Sequence, residues 1–321
     1  MTIQNVLLLG GSGFVGTYIA NRLANLGIKV TIPTRRRERQ RAIIALPNVD
    51  LVQADIHDEA TLAKLVAGQD VVINLVGILH SRDFKLPYSA DFAKAHVELP
   101  RKVVAACKAA GVRRLVHMSA LKAAAGAPSE YLRSKADGEA IVLAAQGDLD
   151  VTVFRPSVIF GPGDAFLAQF ARLLKSAPRF PLAYGHAKFQ PIYAGDVADA
   201  FVRCLEQRAS YGQAYDLGGP KVYSLRELVE YVHALVGSDA KIMHLGEFWS
   251  LLLAGLLWLL PKPPMSPDNL RSMEIDSVLD YDAEMPFGIQ PRTLEAVAPG
   301  YLVGHAPRVH FDQFRVKAGR G

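Results

Sequence analysis

The sequence predicts an α/β protein, a doubly wound parallel sheet carrying a smaller C-terminal lobe. Three observations lead there. Short β-branched runs alternate with longer helical stretches as far as Pro156, and a glycine-rich turn separates the first strand from the first helix. Prolines at 162, 178, 181 and 191 then break the rhythm. At 321 residues and 50% hydrophobic content the chain can bury the core this architecture needs.

Taken in order, Val6 to Leu9, Val30 to Ile32, Leu51 to Gln53, Val71 to Leu75, Leu115 to Met118 and Val151 to Phe154 read as six successive strands. They are apolar on both faces, as expected of a parallel sheet covered by helices on both sides. Val15 to Ala24 and Val97 to Ala110 carry the helical period between them. Right-handed crossovers then make the doubly wound sheet the economical topology. Residues 1–160 are expected to form the nucleotide-binding domain and 161–321 the smaller lobe, with about 190–217 returning to the first domain through a strand near Ala214 to Leu217.

Composition excludes several functions. The net charge of +5 is spread along the chain without interleaved aromatics, so nucleic acid is not an expected partner. The one basic cluster, Arg35, Arg36, Arg37, Arg39 and Arg41, has a local explanation given below. Two cysteines, Cys107 and Cys204, fall in helical patterns and read as buried thiols of a reducing compartment. The N-terminus opens directly into an apolar strand without a basic leader, which points to a cytoplasmic protein. The apolar run Phe248 to Leu260 is shorter than the roughly 20 residues of a membrane span.

Gly10-Gly11-Ser12-Gly13-Phe14-Val15-Gly16 follows the first strand and opens the first helix. Glycines there permit a tight turn and a close approach of backbone to a pyrophosphate, and the helix N-terminus supplies free N–H groups and partial positive charge. This is the expected dinucleotide site of a Rossmann-type domain. The second strand ends Thr34-Arg35-Arg36, where an acid would accept the ribose hydroxyls of NAD(H). A guanidinium there suits a 2′-phosphate, so NADP(H) is favoured over NAD(H), with Arg35 first and Arg36 second. Arg37, Arg39 and Arg41 read as a solvated helix start. Asp55 and Ile56, after the third strand, are placed to meet adenine, and Leu75, Val76 and Gly77 to pass along the ribose; loop chemistry is the alternative for either segment.

Tyr131 and Lys135 stand four residues apart, on one face if Ser129 to Ala145 is helical. A neighbouring ammonium favours the phenolate, which makes the pair an acid/base device. Ser119, after Met118 at the end of the fifth strand, completes a triad with them or simply caps the next turn. His117 reads as a strand residue and His96 as lying on a helix face, and no histidines show metal-ligand spacing.

On these residues the chain resembles the extended, atypical short-chain dehydrogenase/reductases of the NAD-dependent epimerase/dehydratase superfamily. Gly10 to Gly16, Tyr131 to Lys135, Arg155-Pro156-Ser157-Val158-Ile159-Phe160-Gly161 and Phe189 to Ala198 carry the likeness. It implies that Pro156 and Val158 lie over the nicotinamide and that Asp196 starts a helix. Tyr131 to Lys135, Gly163 to Leu167 and Met265 to Leu270 further resemble the accessory NADPH-binding subunit family of respiratory complex I and its bacterial relatives. That resemblance implies a tightly held cofactor with a structural or regulatory role, and a site peripheral to the inner face of the cell membrane. It also gives Phe248 to Leu260 a second reading beside burial: contact with a quinone, a respiratory complex or a membrane surface. The alternative function is an active oxidoreductase or nucleotide-sugar epimerase/dehydratase using Tyr131 and Lys135, for which Arg172, Lys175 and Arg179 would grip a diphosphate. Oligomerisation is left open.

Overall fold

The computed structural model describes residues 3–39, 41–81, 83–246, 252, 255, 266–280 and 284–303. Seven strands form one sheet: β1 (Asn5–Leu9), β2 (Lys29–Thr34), β3 (Val49–Gln53), β4 (Val71–Asn74), β5 (Arg114–Met118), β6 (Asp150–Pro156) and β7 (Gln213–Leu217). The order is β7-β6-β5-β4-β1-β2-β3, parallel throughout. Each expected strand is present, and the last is the return near Ala214 to Leu217.

Alternation of side chains across the pleat divides the core into two layers. Val6 and Leu8 pack with Ile19 and Leu23 of α1 (Phe14–Asn25) and with Val197 and Phe201 of a helix at Ala194–Arg203. Leu7 and Leu9 face the other way, onto Leu62 and Val66 of α2 (Glu59–Val66) and Leu99 and Val103 of α3 (Leu99–Ala110). The next helix, α4 (Glu130–Leu143), lies beside α3 and carries Tyr131 and Lys135.

The connections run outward from β1 in both directions, so the topological switch lies between β1 and β4. There the turn after β1 abuts the backbone after β4: a Cβ on Gly10 would stand 3.2 Å from the Leu75 carbonyl carbon and the Val76 nitrogen.

A second core gathers Phe160 and Phe180 with Leu167, Phe170 and Leu174 of α5 (Leu167–Ser176). The helix at Ala194–Arg203, α6, returns to the first layer, where Arg22 Nε meets Asp199 Oδ1 at 2.7 Å. Asp196 falls in the first turn of α6, two residues inside its start, and accepts the Arg292 N–H at 2.7 Å. α7 (Leu225–Val236) closes the second core with Leu228 and Val232, and Leu294 and Leu302 join it.

One helix departs from expectation. Instead of a regular run from Val97, a short helix Ala90–Ala93 leads into a π-helical turn at Lys94–Glu98, and α3 starts only at Leu99. Pro100 is the cause: it has no N–H to donate to the carbonyl of His96, and the ladder widens there. α4 fills the freed space, with Gly138 so close that an added Cβ would stand 1.8 Å from the His96 oxygen.

Cys107 and Cys204 are buried free thiols. Among the described residues, no helix is long and apolar enough to cross a membrane, and no group of three side chains could hold a metal ion. The apolar run Phe248 to Leu260 lies outside the described residues, Leu252 and Gly255 excepted.

Candidate functional site

The glycine turn forms as its sequence requires. Gly10 takes φ +78°, and Gly13 N–H closes the turn onto the Gly10 carbonyl at 2.9 Å. Gly16 faces this turn so closely that a Cβ would stand 2.5 Å from both the Gly10 oxygen and the Gly11 Cα. No side chain caps α1, whose N-cap is Gly13. Its first N–H groups are therefore available to an anion at the switch point, beside Ser12, Phe14 and Val15. This geometry fits a pyrophosphate.

At the end of β2, Thr34 is buried and its Oγ1 accepts the Arg36 N–H at 3.4 Å. Arg35 and Arg36 are exposed, and neither pairs with a carboxylate among the described residues. Asp55 is exposed and accepts the His57 N–H at 3.0 Å, with Ile56 half-buried beside it. Loop geometry thus already uses one Asp55 oxygen. After β4, Asn74 Oδ1 accepts the Val76 N–H at 3.1 Å, and Leu75, Val76 and Gly77 follow the turn across from Gly10.

Ser129 caps α4 by accepting the Leu132 N–H, and the helix carries Tyr131 and Lys135 on one face, as the spacing predicts. Lys135 is buried, and its Nζ donates to the Met118 carbonyl at 2.6 Å. Burial draws its pKa down to about 8 against the opposing pull of Glu139. Burial also pushes the Tyr131 phenol up to about 12. Ser119 follows Met118; its N–H donates to the Phe154 carbonyl at 2.7 Å, while its buried Oγ has no hydrogen-bond partner. The chain leaving β6 docks on the same turn, because the Pro156 carbonyl accepts the Leu121 N–H at 3.0 Å; further on, the Val158 carbonyl accepts the N–H of Ile192, in a separate strand. Met118, Ser119, Lys135 and Pro156 thus converge at the sheet's C-terminal edge, where an orphaned hydroxyl and a buried ammonium suit the ribose and amide of a nicotinamide nucleotide. When bound, the nicotinamide supplies hydride chemistry; holding and orienting it would fall to these side chains.

The roles of two residues escaped sequence reasoning. His96 sits in the π-turn with its ring 5.6 Å from that of Tyr131. Its Nε2 accepts the Ile78 N–H at 3.0 Å, so the neutral ring carries its proton on Nδ1 and donates to Ser134 Oγ at 2.8 Å. Ser134 in turn donates to the Tyr131 carbonyl. Burial and the nearby Lys135 hold the His96 pKa well below its ordinary value, which keeps this network neutral. Asp268, in α8 (Pro267–Ser272), accepts the N–H groups of Glu130 at 2.7 Å and Tyr131 at 3.1 Å. In the sequence, Met265 to Leu270 carries only a resemblance; its S-P-D-N run is a local helix-start signal and says nothing of α4. His117 is a buried strand residue paired with Asn74, as expected. Arg172, Lys175 and Arg179 are all exposed.

A glycine turn at the switch point, facing a tyrosine–lysine helix across the sheet's edge, defines a dinucleotide-binding protein of the short-chain dehydrogenase/reductase class. The chain belongs to the NAD dependent epimerase/dehydratase family, whose profile matches residues 6–218. It is 32% identical over 298 residues to the mitochondrial NADH dehydrogenase (ubiquinone) 1 alpha subcomplex subunit 9 of Mus musculus, covering 90% of this chain and 77% of that protein. It is 28% identical over 197 residues to the ceramide reductase of Caulobacter vibrioides, covering 61% of this chain and 59% of the relative. Among solved structures, the DesIV double mutant (dTDP-glucose 4,6-dehydratase) of Streptomyces venezuelae with NAD bound shares the fold. It matches at TM-score 0.66 and 22% identity, over 75% of this chain and 84% of that one.

Proposed function

We propose that this protein is a tight NADP(H) binder of the complex I accessory-subunit type, in which the cofactor serves a structural or regulatory role. The observation that carries this reading is the disposition of Tyr131 and Lys135: one N–H of the ammonium is anchored on the Met118 carbonyl, which leaves two donors for a ribose, and burial raises the phenol further above neutral pH. Such a pair can fix a ribose without supplying a base at neutral pH. The similarity to the subunit of Mus musculus over 90% of the chain supports a respiratory-complex partner on the inner face of the cell membrane, with Phe248 to Leu260 as the apolar or quinone-side contact.

Preference for NADP(H) is supported by the absence of an acid after Thr34 and by the exposed guanidinium of Arg35. In this reading Gly10, Gly11, Ser12, Gly13 and Gly16 hold the pyrophosphate, Arg35 the 2′-phosphate, and Tyr131 and Lys135 the nicotinamide ribose.

A second reading, an active oxidoreductase, is favoured by one observation. The relative named ceramide reductase aligns over 61% of this chain, which itself carries Ser119, Tyr131 and Lys135. Mass spectrometry of nucleotide released on denaturing the purified protein separates the two. Stoichiometric NADP(H) that survives dialysis is expected for the accessory role; an empty protein that binds NADPH and releases it readily would overturn that role in favour of turnover.

A further inference from the structure

Lys135 carries a charge into the interior. It is buried, and a Cβ on Gly77 would stand 4.0 Å from its Nζ, so the ammonium faces the turn along which the ribose would pass. Its Nζ gives one N–H to the Met118 carbonyl, which leaves two. An ammonium is costly to bury without a charge to balance it, and gives up its proton more readily where none is supplied.

The titratable groups around Lys135 come from several elements. The π-turn brings His96 and β5 brings His117, both held neutral by burial and by Lys135 itself. α4 brings the Tyr131 phenol, raised by burial, and the Glu139 carboxylate. β6 brings Arg155, with Asp216 of β7 beyond it at 3.5 Å. Neutral rings and a phenol balance no charge. Glu139 does: it is buried, stands four residues after Lys135 and so on the same helical face, and opposes the fall in the lysine's pKa that burial causes.

Arg155 does not account for this carboxylate. A guanidinium fork usually meets both carboxylate oxygens, one N–H to each. Here Arg155 Nε, at 2.8 Å, and Nη2 both donate to Glu139 Oε1. Oε2 is buried with no hydrogen-bond partner among the described residues. A buried acceptor left open in this way needs a further reason to be there, and the neighbouring ammonium supplies one.

We propose that Glu139 is a positioning residue for Lys135: its carboxylate, one helical turn further along α4, keeps the ammonium charged, so that two N–H groups remain for a ribose. The inference rests on the proposed cofactor reading for the ribose alone; the pairing of Glu139 with Lys135 stands apart from it.

The test titrates the full-length protein, 13C-labelled at its lysines. The Lys135 resonance, identified by its loss in Lys135→Met, is followed against pH by NMR, and NADPH fluorescence records cofactor binding separately. The parent midpoint is expected at about 8, and Glu139→Gln should lower it by about one pH unit or more. At about pH 8 that variant should bind NADPH roughly fivefold more weakly, and at about pH 6 nearly as well as the parent. Arg155→Gln breaks the same ion pair but keeps the carboxylate, so it should not lower the midpoint. Glu139→Asp keeps the ion pair and draws the charge back by a methylene; its midpoint should fall between those of the parent and Glu139→Gln, and it decides alone if Glu139→Gln does not fold. The inference is overturned if Glu139→Gln, or in its absence Glu139→Asp, titrates Lys135 as the parent does. It is overturned too if Arg155→Gln lowers the midpoint as far as Glu139→Gln, the mark of a purely structural pair. A protein whose Lys135 titrates as expected but which takes no NADPH would overturn the proposed function instead.

Discussion

The carboxylate of Asp268 accepts the backbone N–H of Tyr131, a residue 137 positions earlier in the chain, at 3.1 Å. With the bond to Glu130 it satisfies two donors that the start of α4 would otherwise leave open, while Ser129 takes a third. The helix that carries the tyrosine and lysine is thus pinned by the far end of the sequence. Asp268→Ala should lower unfolding free energy by about 1–2 kcal/mol, and Asp268→Asn, which keeps an acceptor, by clearly less. Urea denaturation of both variants checks the order.

His96 ties the loop after β4 to α4 through Ile78 and Ser134. His96→Phe keeps the ring volume and strands the Ile78 N–H, at a cost of roughly 1–3 kcal/mol. Looser nucleotide binding should accompany the loss, because Gly77 and Ile78 belong to the same turn. Thermal melts with and without NADPH measure both effects, and a variant as stable as the parent would remove His96 from this role.

Gly138 and Gly126 provide a paired comparison. A methyl group at 138 would overlap the His96 carbonyl, whereas one at 126 would meet nothing within 4 Å. Gly138→Ala should fold poorly or lose several kcal/mol by overpacking, of the order of 1–3 or more, and Gly126→Ala should be close to neutral. Soluble yield and denaturation midpoints decide it.

The depressed pKa of Lys135 has opposite effects on stability and on binding. Its folded value of about 8 lies below its ordinary 10.5, so between these values the unfolded chain binds more protons. This residue's contribution to stability therefore rises as pH climbs from about 8 to 10.5. A ribose or phosphate held by the ammonium loses its partner over the same range, so NADP(H) affinity should fall above pH 8. Subtracting the profile of Lys135→Met isolates both slopes from other titrating groups; parallel profiles for parent and variant would contradict the assignment.

Arg35→Asp should reverse cofactor choice. A carboxylate there repels a 2′-phosphate and accepts ribose hydroxyls, so the NADPH to NADH affinity ratio is expected to drop by at least tenfold, on the order of 1.4 kcal/mol. An unchanged ratio would assign the 2′-phosphate to another group.

The sheet was legible because its rules are local: alternating apolar runs, a glycine turn before a helix, and a tyrosine four residues from a lysine. The π-turn was not. Val97 to Ala110 reads as one helix straight through Pro100, whose effect depends on Gly138 occupying the freed space, a contact between elements far apart in sequence. The same applies to Asp268, which reads locally as the first turn of a short helix and acts on α4. Ser119 lay between: its position after Met118 was readable, but the isolation of its Oγ depends on how the β6 exit packs over it.

The seventh strand also bears on how the protein is made. β7 pairs with β6 along its whole length, from Gln213 opposite Thr152 to Leu217 opposite Pro156, yet it emerges from the ribosome about 60 residues later. Throughout that interval β6, with Val151, Val153 and Phe154 along it, is an uncovered edge open to pairing with another nascent copy. A fragment ended at residue 160 would keep that edge permanently and should associate in solution, whereas one extended past 217 brings its own strand to close it.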